Sequence, residues 1–186
     1  GHKIVGGCDW GKQQDFSCFS FGCIDCKCEV DRDRFNQIDY AFQVQRLAAM
    51  CDKWQPQAVL VEQNSIGEPI LETLQRTGLP AIGFMTTGTS KPPLIENLAL
   101  AIEKAEWQFQ ADPVWTGELE AYERKVSPVT GRSQYSAPPG QHDDCVIARA
   151  LLLWQAIQPD NTALRQAAIV GRPTTPDLRR AVRRAS

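Results

Sequence analysis

The sequence predicts an α/β domain: a mixed sheet in which an antiparallel meander of three strands is joined by parallel strands, with helices on both faces. Three observations predict it. The chain opens on a short apolar run followed by two segments rich in aromatic residues, Cys and Val; the later run Ala58-Val59-Leu60-Val61 shows no polar alternation; and apolar residues then recur at helical spacing. A strand that is apolar on both faces has to be covered on both, as parallel central strands are. Helices alternating with such strands give the α/β class.

Lys3 to Cys8 reads as a buried strand that ends at Asp9. Phe16 to Ile24 and Lys27 to Arg32, with a turn near Asp25, read as an antiparallel pair that completes the meander. Asp39 is placed to cap a helix carrying Tyr40, Val44, Leu47, Ala48 and Cys51 on one stripe, ending before Pro56. Ala58 to Val61 is the next strand, and it stops at Glu62. Asn64 to Gly67 read as a loop, Pro69 opens a helix through Leu74 with Gly78 as its stop, and Leu79 to Met85 read as a strand. Pro92 or Pro93 starts an amphipathic helix with Ile95, Leu98, Ala99 and Ile102 on one face. Thr116 is placed to cap a helix through Tyr122, and Ser133 to Ala137 read as a short strand. Asp143 and Asp144 lead into a long helix whose stripe is Ile147, Ala150, Leu151, Trp154 and Ile157.

Composition bounds what this domain does. The chain has 186 residues, 42% hydrophobic and 23% charged, enough for one compact core and unlike a wholly disordered chain. No apolar run approaches the roughly 18 residues of a membrane span, so no membrane partner is expected. Net charge is −2, yet residues 159–186 hold six arginines against two aspartates, leaving that segment at +4 and the body at −6. The division is therefore a domain over 1–158 and an Arg-rich, poorly ordered tail over 159–186. An acidic body cannot grip phosphates by charge alone and would need metal ions, the tail or partner surfaces. The seven cysteines, an odd number set mostly in apolar segments, read as reduced thiols of a cytosolic protein. The opening Gly1-His2, without an initiator Met, reads as the remnant of a trimmed tag on a chain cut from something longer.

Chemistry concentrates at the strand ends. Asp9 and Glu62 each sit just past the carboxyl end of a central strand, where ligands bind in open α/β sheets. Asp143-Asp144 stands at a loop-to-helix junction. Carboxylates converging without nearby Lys or Arg repel one another and call for hard divalent cations, Mg²⁺ or Mn²⁺. Two such ions would serve phosphodiester cleavage, with Asp9 on the middle strand bridging them and Glu62 and one or both of Asp143 and Asp144 on the outer sides. Each acid has a plainer reading: Asp9 as a turn residue, Glu62 as a solvated strand end, and one of the Asp143/Asp144 pair as a helix cap favoured by the dipole. His142 is a possible water-activating base, Lys91 a possible phosphate contact and Asp15 a possible support of the metal site, each also readable as an ordinary surface residue.

These residues resemble the nuclease domain of the large terminase subunit of tailed bacteriophages, a member of the ribonuclease H-like superfamily. The resemblance runs through Gly7-Cys8-Asp9-Trp10-Gly11 with Asp15-Phe16, Val59 to Asn64 with Gly67, Ser90-Lys91 with Glu96-Asn97-Leu98-Ala99, and Tyr135-Ser136-Ala137-Pro138 followed by Gly140 to Asp144. It implies a ribonuclease H-like fold and a metal-dependent endonuclease that cuts double-stranded viral DNA concatemers during packaging, in the host cytoplasm, with Asp9, Glu62, Asp143 and Asp144 as its metal-binding acids. It also implies a separate terminase ATPase domain, a small terminase subunit and a portal as partners. No G-x-x-x-x-G-K-[ST] phosphate loop occurs in this chain, so the motor is not here.

Other readings compete. A Holliday-junction-resolvase-like nuclease shares the acidic constellation, and a non-catalytic docking module of a packaging machine would use the sheet and the Arg tail. An actin- or hexokinase-like half is disfavoured because that fold needs a second lobe. Cys23-x-x-Cys26-x-Cys28, with Cys18, invites zinc, but on a regular hairpin Cys26 and Cys28 share a face while Cys23 lies across the turn. Buried thiols acting as small apolar groups are the preferred account, and zinc is not expected.

Overall fold

The computed structural model describes residues 1–157 except 12–14, 67, 129–130 and 132; the Arg-rich tail of 159–186 lies outside the described residues. Five strands form the main sheet in the order β3-β2-β1-β4-β5: β1 is Ile4–Asp9, β2 Ser17–Cys23, β3 Cys28–Phe35, β4 Ala58–Glu62 and β5 Ala81–Phe84. β1 is central, antiparallel to β2 and parallel to β4. The expected mixed sheet with a three-strand meander is what forms, and helices cover both faces.

The two faces follow from period-2 alternation. On one, Cys8, Phe19, Phe21, Val59 and Val61 pack under α1 (Tyr40–Trp54) and under α2 (Gln63–Ile66) and α3 (Glu68–Arg76), through Leu47, Met50, Cys51, Ile66 and Leu74. On the other, Val5 and Leu60 pack under α4 (Lys91–Glu103) and α6 (Asp144–Ile157), with α5 (Pro113–Ala121) beside them. A Cβ on Gly7 would stand 2.2 Å from the Ala148 carbonyl oxygen and 2.3 Å from the Leu152 nitrogen, so α6 lies with its backbone against β1. Gly7 and Asp9 share a face of β1, and Asp144 is one turn before Ala148. This close approach therefore carries the start of α6 toward the end of β1.

Several boundaries differ from the sequence reading. The expected loop at Asn64–Gly67 is largely the short helix α2, entered directly from Glu62. α5 starts at Pro113, not after Thr116, because the Asp112 carboxylate accepts from the backbone N–H groups of Val114 and Trp115 and Pro is favoured in the first turn. Asp39, by contrast, makes no side-chain cap. On α4 the buried stripe is Leu94, Ile95 and Leu98, while Ala99 and Ile102 face solvent, because the helix begins earlier and is rotated. α6 has no single stripe: Cys145 through Leu153 are all buried, since it runs between the sheet and two helices. Ser133–Ser136 is a strand, β7, but it pairs with a strand the sequence did not suggest, β6 (Glu123–Val126), as a separate hairpin. The polar, exposed β6 carries no apolar alternation to reveal it.

Candidate functional site

Asp9 ends β1 and Glu62 ends β4. The parallel register pairs Cys8 with Val61, so the next residues, Asp9 and Glu62, stand side by side on strands about 4.8 Å apart. Both project from the face that α6 covers, as Gly7 and Leu60 do. Asp9 is 6% exposed. Burial raises its carboxyl well above the usual aspartate value, and the charge of and hydrogen bond to Glu62, then the charges of Asp144 and Asp143, push the same way. The four predicted acids thus converge on one end of the sheet. They surround it without collapsing to a point: among the described residues, no three of them have ligand atoms all within 4.8 Å of one another.

Asp143 and Asp144 divide their roles. The Asp143 carbonyl accepts from the Ile147 N–H, which puts Asp143 at the cap position and Asp144 at the first helical residue. The Asp143 carboxylate meets Lys91 Nζ at 3.2 Å. The expectation of acids without a nearby cation is corrected here: the turn before α4 brings Lys91 in from 52 residues away. Asp144 is raised to about 6, by burial first and by Glu118 next, with His142 opposing. Its Oδ2 is buried with no hydrogen-bond partner among the described residues, and the His142 ring stands beside it with Nδ1 at 3.6 Å. A buried carboxylate oxygen left without a donor, beside a second pair of acids, fits a hard divalent cation.

The remaining expectations fall at the periphery. His142 is half-exposed and edge-on to the Phe16 ring at 5.2 Å. Asp15 is exposed in the β1–β2 connection, within electrostatic reach of Asp144. Two residues at the site were not foreseen. Tyr122 lies beside Asp143, its phenol pushed up by burial and then by Asp143, Asp9 and Glu62, and the Lys91 ammonium stands 5.8 Å from its ring. Glu118 Oε2 accepts from the Cys145 N–H, and its Oε1 lies 3.6 Å from Arg34. The one signal for Glu118 was its i, i+3 spacing from Trp115 on α5; Tyr122 offered none beyond ending that helix.

The raised carboxyls make the metal-free domain pH-sensitive. A carboxyl whose folded value lies above its unfolded one binds its proton more tightly when folded, so it favours folding at low pH and that advantage is lost as pH rises. For Asp144 the window runs from about 4 to about 6. Two units correspond to about 2.7 kcal/mol, reduced to about 1–2 by partial solvent access. The melting temperature in chelator is expected to fall by several degrees between pH 4.5 and 7.5, and Mg²⁺ is expected to flatten the decline. A melting curve that rises over this range in chelator would contradict the assignment.

No protein-family model matches the chain. It is 32% identical over 151 residues to the large terminase subunit of Thermus virus P23-45, an alignment covering 81% of this chain and 31% of that protein. The chain thus spans under a third of the length of the curated relatives it matches. The crystal structure of the large terminase nuclease from the thermophilic phage G20c superposes with a TM-score of 0.76 at 29% identity, covering 83% of this chain and 82% of that one. The G20c nuclease has also been solved with bound magnesium, cobalt and zinc. The nuclease domain of the Thermus phage P74-26 large terminase matches with a TM-score of 0.75 at 28% identity, over 86% and 82% of the two chains.

Proposed function

Starting from a chain homologous to the nuclease domains of phage large terminase subunits and sharing their ribonuclease H-like fold, we propose that this domain is a divalent-metal-dependent endonuclease that cuts double-stranded viral DNA concatemers during genome packaging. The observation that carries the reading is the pairing of Asp9 with Glu62 opposite the donorless buried oxygen of Asp144. Asp9, Glu62 and Asp144, with Asp143 beside them, would hold two ions, Mg²⁺ or Mn²⁺. When bound, such ions supply a nucleophilic water at neutral pH and offset charge on the scissile phosphate.

The chain's own residues orient and discriminate. Asp9 and Glu62 are held by adjacent strands and cannot separate without breaking the β1–β4 register. Asp144 is fixed by the first turn of α6. Lys91 neutralises Asp143 in the free site and is close enough to the acids to turn to a backbone phosphate. His142 is open to solvent, with its Nδ1 3.6 Å from Asp144 Oδ2. Partners in this reading are double-stranded DNA, a terminase ATPase domain, a small subunit and a portal, in the host cytoplasm, with residues 1–158 as the nuclease unit and 159–186 as a basic tail toward DNA or those partners. Among the described residues no helix is long and apolar enough to cross a membrane.

The test is conversion of supercoiled plasmid in Mg²⁺ or Mn²⁺ with chelator as control, alongside linear duplex and a four-way junction. Cleavage of duplex is expected only with metal. A strong preference for the junction would favour the resolvase-like alternative; no cleavage, and no metal binding by calorimetry, would leave the docking module. Lys91→Ala is expected to lower kcat/KM about 10- to 100-fold, the worth of one charge-assisted phosphate contact at about 1.5–3 kcal/mol. Unchanged cleavage kinetics in that variant would remove Lys91 from the site.

A further inference from the structure

At the opposite end of the sheet, three soft ligands meet. Cys23 ends β2, Cys26 lies in the turn after it, and His2 precedes β1. His2 Nδ1 lies 3.5 Å from Cys23 Sγ and 3.3 Å from Cys26 Sγ. Among the described residues, their ligand atoms all lie within 4.8 Å of one another. Zn–S bonds of about 2.3 Å and Zn–N bonds of about 2.0–2.1 Å set tetrahedral ligand–ligand edges of about 3.5–3.8 Å. The two His2–sulfur separations already match such an edge to within tenths of an ångström.

Two further features point the same way. The Cys26 backbone N–H donates to Cys23 Sγ at 3.3 Å, the kind of donor that holds a ligating sulfur in place and offsets thiolate charge. Cys28 stands directly across from Cys23 in the β2–β3 register, which puts both side chains on one face with Cβ atoms about 4.5–5.5 Å apart. The objection from a regular hairpin fails, because residues 24–27 form the turn and Cys26 is in it, free of strand alternation.

We infer that Cys23 and Cys26, with Cys28 brought in from across the hairpin, form a structural zinc site at the β2–β3 turn, completed in this chain by His2, the residue read above as a tag remnant. The Cys28 sulfur lies outside the group already gathered and has to move in to bind. Soft thiolates with one imidazole select zinc over Mg²⁺ or Mn²⁺. On binding, the three thiols release their protons to solvent and the sulfurs bond the ion; no redox step is involved. The five residue steps between Ile4 and Asp9 separate this end of the sheet from the acids by about 17 Å, so the two centres are distinct.

The test is titration of the reduced, chelator-treated protein with Co²⁺ followed by Zn²⁺, read by absorption and by melting temperature. One cobalt should bind with a sulfur-to-cobalt charge-transfer band and intense tetrahedral visible bands, both bleached by stoichiometric zinc, and zinc should raise the melting temperature. Cobalt held by carboxylates has no sulfur band, so failure here leaves the nuclease reading standing and the reverse holds too. Cys26 is exposed, so Cys26→Ser should fold and should lose most of the band. His2→Ala should keep the band but bind more weakly. Absence of the sulfur band, or its persistence unchanged in Cys26→Ser, overturns the site; equal affinity in His2→Ala removes His2 from it.

Discussion

Asp9→Asn is expected to abolish metal-dependent DNA cleavage, by at least about a thousandfold, while raising the melting temperature of the metal-free domain. The two effects have one cause. Asp9 is buried beside Glu62, and burial together with that neighbour and the Asp143/Asp144 pair disfavours its charge. Asn keeps the shape and the ability to hydrogen-bond Glu62 but removes one buried negative charge, so the folded apo state gains. Holding hard cations requires that charge. Ion-assisted water activation and charge stabilisation supply several kcal/mol, at about 1.4 kcal/mol per tenfold in rate. Activity bought with strain in this way is a familiar feature of functional sites. The measurement pairs plasmid nicking in Mn²⁺ with thermal melts in chelator from pH 4.5 to 7.5. The fall of stability with rising pH should be shallower in the variant than in the wild-type domain. Wild-type cutting rates in Asp9→Asn would end the case for this site.

The second large effect is structural. Arg149→Met is expected to cost about 3–5 kcal/mol and to lower the melting temperature by about 10 °C or more. The Arg149 and Glu29 side chains are 2% and 0% exposed and meet at 2.8 Å. Glu29 also accepts from Ser20 Oγ and the Gln110 N–H. Arg149 donates to the Gln110 carbonyl and lies against the Phe109 and Trp115 rings at 4.7 and 4.6 Å. Removing the guanidinium leaves a buried carboxylate short of donors, which is the costly way to break such a pair. The Glu29→Gln/Arg149→Met double variant should recover part of the loss, because the stranded charge goes with it. A double-mutant cycle by denaturant unfolding checks this; a single-variant loss below about 1 kcal/mol would show that the pair does not anchor α6 to β3.

Much of this was legible in advance, for identifiable reasons. Ala58–Val61 announced a doubly covered strand because no face of it was polar, and Asp9 and Glu62 stood out because each follows such a run. The pattern was weaker wherever burial was not one-sided. α6 is apolar nearly all round, so the stripe read for it was wrong at its end, where Ile157 is exposed, and too narrow before it, where Cys145 to Leu153 are all buried; Arg149 inside it gave no sign of being a core residue. β6 is polar on both faces, and its pairing with β7 comes from neither strand's composition. The Asp112 cap was overlooked in favour of Thr116 because both are good cap residues; Pro113 immediately after Asp112 is what decides between them. Residues 159–186, a basic tail by composition, lie outside the described residues.

What the chain specified by itself is local: period-2 and helical apolar patterns, strand ends marked by acids, and an overall α/β order. Those features depend on neighbours within a few residues, so they are written in the linear order. Which groups meet was decided in three dimensions. Gly7 lets α6 lie on β1 and brings Asp144 toward Asp9; the turn before α4 sets Lys91 on Asp143; the β2–β3 turn gathers Cys23 and Cys26 around His2. Each contact joins residues far apart in sequence, and its strength depends on burial and on distances of a few ångströms, quantities that exist only once the sheet and helices have packed.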